Sequence, residues 1–185
     1  VLKYMEELSK DFIIDLISFE KKHDLANLEK LSLILDRCEL NGISWHPSQY
    51  RQGVFLFSQI INIFNFLLCP LKIMLNKQSN VIHIRSYMPG LCIPLLSCIF
   101  NFKFIFDIRG FWADEKHDRL GWKKKSVKYI FFKRLERYLF DRADAIVTLT
   151  HGAKKYIHIE FGKPINKISV IRTCVDFREF NLPEE

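Results

Sequence analysis

Residues 81–115 constrain this chain more than any other stretch. They read VIHIRSYMPG, then an apolar helix-like run, then FKFIFDIRGFWADE. Two short apolar runs each end in arginine and aromatic residues, the second with acids as well. A buried strand that stops at a charged, aromatic loop is how open α/β sheets build ligand sites, because the crevice lies beyond the strand carboxyl ends. The most polar chemistry in the chain falls at those two strand ends.

The same alternation runs through the whole sequence. A helix over about 1–10 precedes an apolar strand from Phe12 to Ser18, and Asp24 is placed to cap a helix running to about Leu40, with Gly42 at its end. A short strand, Ile43–His46, leads into the polar loop PSQYRQG. A long apolar helix covers about 54–75, followed by a strand at 81–84, a helix at 89–100 and a strand at 104–108. After the loop RGFWADEKHD a basic helix runs from about 122 to 142, and strand 145–149 leads to Thr150, which caps a helix ending at Phe161. Gly162 and Pro164 are its stop signals, and a last strand, Ile168–Arg172, precedes TCVDFREFNLPEE. Strands alternating with helices imply parallel pairing and right-handed crossovers, hence an α/β, doubly wound, mainly parallel sheet flanked by helices. The strands lack clean polar alternation, as expected when helices cover both faces.

A chain of 185 residues fits one domain and can bury roughly 70% of its unfolded surface. Hydrophobic residues at 49% and charged ones at 26% exclude a disordered chain. The net charge of +7 suits an anionic partner such as phosphate, nucleic acid or acidic lipid. Between Trp122 and Ala143 stand eight Lys/Arg against Glu136 and Asp141, so six of the seven net positives sit in one segment. The five cysteines include no CxxC and fall mostly in apolar runs, which reads as reduced, buried thiols of a cytosolic protein. No N-terminal signal peptide is visible, and the helix-like start VLKYMEELSK suggests that residues precede Val1.

Two segments raise the membrane question. The run at 54–75 is long enough to span a bilayer, but Ser58, Asn62 and Asn65 form a polar stripe and Pro70 and Lys72 interrupt it, so burial against a sheet is the expectation. In the basic helix, Val127, Phe131, Leu135 and Tyr138 recur at helical spacing and are expected to face the core. Lys123, Lys124, Lys125, Lys128, Lys133 and Arg137 then offer a surface for an anionic membrane, with a plain solvated face as the alternative. A nucleic-acid role ranks behind both, since no recognised nucleic-acid module is visible.

HIRSYMPG, FDIRGFWADE, RADAIVTLTHGAKKY and ISVIRTCVDFREF, in that order, resemble the N-terminal half of family 4 glycosyltransferases of the GT-B fold. The resemblance implies two Rossmann-like domains facing a cleft, with the acceptor mainly on the N-terminal one and the nucleotide-sugar donor mainly on the C-terminal one. It implies retaining sugar transfer with no required metal and no cofactor. On that reading residues 1–176 are a Rossmann-like acceptor-binding domain lacking its first strand, 177–185 begin the interdomain linker, and the donor domain is absent. The chain would then transfer sugar to a saccharide or lipid-linked acceptor only with a complement, in the cytoplasm or on the inner membrane face. A non-catalytic sugar-, membrane- or subunit-binding fragment is the alternative.

Arg85, Ser86 and Tyr87 follow the first of the two strands, where a guanidinium fork with flanking hydroxyls suits paired oxygens of a substrate. Asp107, Arg109, Gly110, Phe111 and Trp112 form the next strand end. Gly110 admits a turn that a Cβ would hinder, and Trp112 or Phe111 can stack on a sugar ring. Many family members carry a histidine in this loop that contacts the transferred sugar, and here Arg109 stands at the matching position. Asp114 and Glu115 can orient or deprotonate an acceptor hydroxyl, or serve as ion partners of Arg109, Lys116 and Arg119. Thr150 opens a helix at a strand end, and Thr173 to Asp176 match the family's crossing segment. Tyr50 and Arg51 follow an earlier strand and can line the acceptor side. Phosphate-loop, dinucleotide and serine-hydrolase signatures are absent, and the histidines show no zinc spacing. His83, in an apolar strand, reads as a core residue.

Overall fold

The computed structural model describes residues 2–51, 56–77 and 79–173, with side chains of 56–59 outside the description. Asp176, Cys174 and the expected linker at 177–185 lie outside the described residues. The chain forms two compact units, one built mainly from residues up to Gln78 and the other mainly from Ser79 onward. Each has its own parallel sheet, where the sequence suggests a single one.

The first unit opens with α1 (Leu2–Leu8), β1 (Ile14–Lys21), α2 (Lys22–Ala26) and α3 (Leu28–Leu40). The expected helix from Asp24 is in fact two. Asn27 breaks it with an extended backbone, and its Oδ1 accepts from the Lys30 N–H at 3.0 Å to cap α3. Asp24 sits inside α2 and pairs with Lys30. Gly42 turns the chain at φ +65 into β2 (Ile43–Tyr50), which pairs with β1 in parallel from Ile14↔Ile43 to Lys21↔Tyr50. β2 therefore runs through most of the segment expected as a loop. Pro47 fits because each strand in a two-stranded sheet needs donors on one edge only.

The long helix α4 (Leu56–Asn76) buries Asn62, Phe66 and Met74, and leaves Ile60, Phe64 and Leu68 exposed. The polar stripe has a specific use. Asn62 clamps the Arg51 backbone, its Oδ1 accepting from the Arg51 N–H and its Nδ2 donating to the Arg51 carbonyl, each at 2.9 Å. Among the described residues no helix is long and apolar enough to cross a membrane.

The second unit carries β3 (Val81–Arg85), α5 (Tyr87–Gly90), the ends of α6 (Ile93–Ile99, whose Pro94–Leu96 belong to the first unit), β4 (Lys103–Asp107), α7 (Trp112–Leu120), α8 (Val127–Arg142), β5 (Ala145–Thr148), α9 (His151–Phe161) and β6 (Ile168–Val170). All four strands are parallel in the order β3-β4-β5-β6, so their carboxyl ends share one edge. The sheet core is aromatic. Phe104 and Phe106 are fully buried, and Phe106 meets Tyr87 and Phe140 edge-on, each with ring centroids 5.5 Å apart. Each such ring stabilises the unit by roughly 1.5–3 kcal/mol through burial alone.

Two expectations fail in this unit. The stretch expected as a loop after β4 contains α7, whose first turn holds Asp114 and Glu115 and which ends at Gly121 in the left-handed conformation. The inward face of α8 is also turned. Leu135, Glu136, Leu139 and Phe140 are buried, whereas Val127, Phe131 and Tyr138 are exposed. The helix carries two overlapping apolar stripes, and packing against β4 and α5 selects the one ending in Leu139 and Phe140.

Candidate active site at the strand ends

The carboxyl edge of the four-stranded sheet collects most of the residues singled out above. Register places Arg85, the last residue of β3, beside Asp107, the last of β4. Arg85 Nε lies 3.7 Å from Asp107 Oδ2, His83 Nε2 lies 3.9 Å from the same oxygen, and Arg109 Nε lies 4.0 Å from Asp107 Oδ1. These separations allow attraction but exceed hydrogen-bond reach. Asp107 Oδ1 and Arg109 Nε are buried and have no hydrogen-bond partner among the described residues. Burial pushes the Asp107 carboxyl above its ordinary range, against the pull of Arg85 and His83. Burial likewise lowers His83, with Asp107 opposing.

Backbone and side-chain bonds fix this arrangement. The Ser86 N–H donates to the Asp107 carbonyl at 3.0 Å, and Arg109 Nη1 donates to Thr173 Oγ1 at 2.9 Å, tying the end of β4 to the segment after β6. Ser86 holds φ 81 and ψ 169, a region that is essentially glycine-only and costs on the order of 1–3 kcal/mol for other residues. Such strain persists where the surroundings over-determine a conformation, as at ligand sites.

The loop beyond β4 supplies the remaining groups. Gly110 does not adopt a positive φ among the described residues. A Cβ there would meet only the carboxylate end of the exposed Glu115 side chain, which can swing aside. Glu115 is exposed and lies in no ion pair among the described residues. Phe111 packs on Tyr156 of α9, with centroids 4.6 Å apart. Trp112 packs against Trp122 and Phe132, with Lys116 over its ring at 5.3 Å. Thr150 caps α9, accepting from the Ala153 N–H at 3.0 Å.

Two expected site residues are placed elsewhere. Tyr87 is buried and donates to Glu136 Oε2 at 2.7 Å. Asp114 accepts from the Tyr129 hydroxyl at 2.6 Å and from Lys133 Nζ at 3.0 Å. Lys133 also donates to Glu136, so Tyr87, Glu136, Lys133, Asp114 and Tyr129 form one bonded chain beneath α8. Burial alone would raise the Asp114 carboxyl, but its hydrogen bonds from Tyr129 and Lys133 hold it below the ordinary value. Burial and Asp114 push the Tyr129 hydroxyl up to about 12. Lys133 is thus turned inward, away from the exposed lysines of its segment.

The sequence reading missed His83 as a neighbour of Asp107, and missed the network through Glu136. A signal existed for the second: Glu136 falls between Leu135 and Leu139 on an apolar stripe, where an acid needs a partner. Among the described residues, no cluster of three or more His, Cys, Asp or Glu is arranged to hold a metal.

No curated protein matches this chain. A parallel sheet whose carboxyl edge gathers arginine, acid and aromatic side chains agrees with what a family comparison finds. The model described as Glycosyltransferase Family 4 matches residues 15–179, and on that coverage the chain belongs to glycosyltransferase family 4.

Proposed function

We propose that this family 4 chain is the acceptor-binding half of a retaining glycosyltransferase of the GT-B type. A nucleotide-sugar donor would be held chiefly by a partner domain, and the acceptor would be a saccharide or a lipid-linked saccharide. The observation that carries the reading is Asp107 and Arg109 at the strand ends, each with a buried polar atom that has no hydrogen-bond partner among the described residues.

In the reaction the acceptor oxygen bonds to the anomeric carbon while the bond from that carbon to the donor phosphate breaks. The nucleoside diphosphate leaves with the electron pair, and the acceptor proton passes to a phosphate oxygen or a carboxylate. Arg85, Arg109 and Thr173 would fix acceptor oxygens, and Asp107 would accept a hydrogen bond from the attacking hydroxyl. Its burial-raised carboxyl is a better proton acceptor than an exposed aspartate. Glu115, in the first turn of α7 beside Gly110, is the second carboxylate near the same strand end. The chain's contribution is mainly positioning, which accounts for a large share of many enzymatic rate enhancements.

The test incubates the chain together with its donor domain with UDP-, GDP- and dTDP-activated sugars and a panel of saccharide acceptors. Mass spectrometry of products and nucleoside diphosphate release are read, and NMR reports the anomeric configuration. Transfer with retention that collapses in Arg85→Ala and Asp107→Asn supports the proposal. Transfer indifferent to both substitutions, or inverted products, overturns it.

A further inference from the structure

We propose that the outward face of α8, with the lysine turn before it, docks the chain on an anionic lipid bilayer surface. Val127 is 84% exposed, Phe131 51%, Ile130 39% and Tyr138 37%, although the helix has inward positions for apolar side chains and fills them with Leu135, Leu139 and Phe140. Val127, Phe131 and Tyr138 follow one another at helical spacing, so the exposed apolar groups form a stripe rather than isolated side chains. Contiguous apolar exposure of this kind marks an interaction surface.

The unpaired charge on the segment that carries the stripe has one sign, with Glu160 of α9 an exposed acid beside Ile130, Arg134 and Arg137. Lys123, Lys124, Lys125, Lys128, Arg134 and Arg137 are exposed and lie in no ion pair among the described residues. The two acids of the segment are neutralised elsewhere: Glu136 is buried with Lys133, and Asp141 pairs with Lys163. The lysines also sit where the helix least tolerates them. Ser126 caps α8, its first turn has no acid, and four lysines crowd the end where the helix dipole is already positive. That arrangement costs local stability and concentrates positive potential beside the exposed apolar groups.

Apolar side chains that enter the headgroup boundary, ringed by cations that meet anionic lipid, are what an interfacial helix requires. A nucleic-acid partner would use the cations but has no use for aliphatic Val127 and Ile130 at the centre of the face. An acidic bilayer uses both. This surface is independent of the sugar-transfer reading and is tested without any transfer assay.

The chain is co-sedimented with vesicles of phosphatidylserine mixed into phosphatidylcholine, and with pure phosphatidylcholine vesicles, at low and high salt. The expected result is binding to the mixed vesicles alone, weakened by salt. Each lysine removed should lower partitioning about fivefold, so Lys124→Gln with Lys128→Gln costs about 25-fold. Phe131→Ser should also weaken binding while leaving the salt dependence in place. These positions are exposed, so far-UV circular dichroism should be unchanged, and melting should not fall and should rise slightly in the lysine variants, which relieve the repulsion at the helix start. Sedimentation that is absent, equal on both vesicles, or abolished by competing duplex DNA at the same salt overturns the proposal.

Discussion

At the end of β4, Asp107 has two guanidinium groups and an imidazole between 3.7 and 4.0 Å away, none within hydrogen-bond reach. Seven residues on, Asp114 takes hydrogen bonds at 2.6 Å and 3.0 Å from Tyr129 and Lys133. Composition makes the two regions alike, since both mix acids, bases and aromatics. Geometry separates them. Around Asp114 the bonding capacity is used, and the carboxyl is held below its ordinary value. Around Asp107 burial dominates, the carboxyl is raised, and atoms with bonding capacity remain. Saturated polar networks hold a fold together, and unsaturated ones are where a ligand can add bonds.

The sharpest break of this contrast is Lys133→Met. It leaves the fully buried Glu136 and its neighbour Asp114 without their shared cation, and removing one partner of a buried pair costs about 3–5 kcal/mol. Thermal melting should fall by about 10 °C or more. A fall of only a degree or two would mean that the region beneath α8 is not the structural one.

Asp107→Asn should do the reverse. Melting should hardly move, because no short hydrogen bond is lost, while the sugar transfer proposed above should fall about 100-fold. Equal loss of stability in Asp107→Asn and Asp114→Asn would erase the distinction.

Acid titration of the same two variants sharpens it further. Asp114 is held below the exposed value of 3.8, so its stabilisation is present above 3.8 and is lost as pH falls through the folded value. Asp107 is raised above 3.8, so its contribution is most favourable below 3.8 and is lost as pH rises through the folded value. The stability gap between the two variants should be widest at neutral pH and narrow on acidification. Solvent screening at the partly exposed Asp114 limits the effect to about 1 kcal/mol. A gap independent of pH would contradict both assignments.

The smallest effect belongs to the Asp107 side. Ser86→Gly relieves the strained backbone at φ 81 but adds the flexibility of glycine, for a net gain of about 1 kcal/mol and a rise in melting temperature of about 2–4 °C. An unchanged or lower melting temperature would show that Ser86 carries no usable strain.

The strands were readable because an apolar run bounded by polar residues is a local property, and β3, β4, β5 and β6 each sit in one. So was the Thr150 cap, which needs only three residues. The exposed face of α8 was not, because Val127, Phe131 and Tyr138 are as periodic as the residues that pack inward, and only contact with β4 and α5 decides between them. Contacts between distant residues were equally hidden: Tyr87 meets Glu136 across 49 positions, and Arg109 meets Thr173 across 64. The sequence placed Asp107 and Asp114 in one motif. Telling a partly bonded acid from a fully bonded one required knowing which side chains from other elements reach each oxygen.

The paired indoles of Trp112 and Trp122, with centroids 5.5 Å apart and Phe132 beside them, have a spectroscopic consequence. The third tryptophan, Trp45, lies in the first unit and donates its ring N–H to Ser18. Much of the chain's ultraviolet emission, and any exciton couplet, therefore originates beside the loop that follows Asp107. Quenching or a band shift on adding a sugar would report on that corner directly, without an engineered probe.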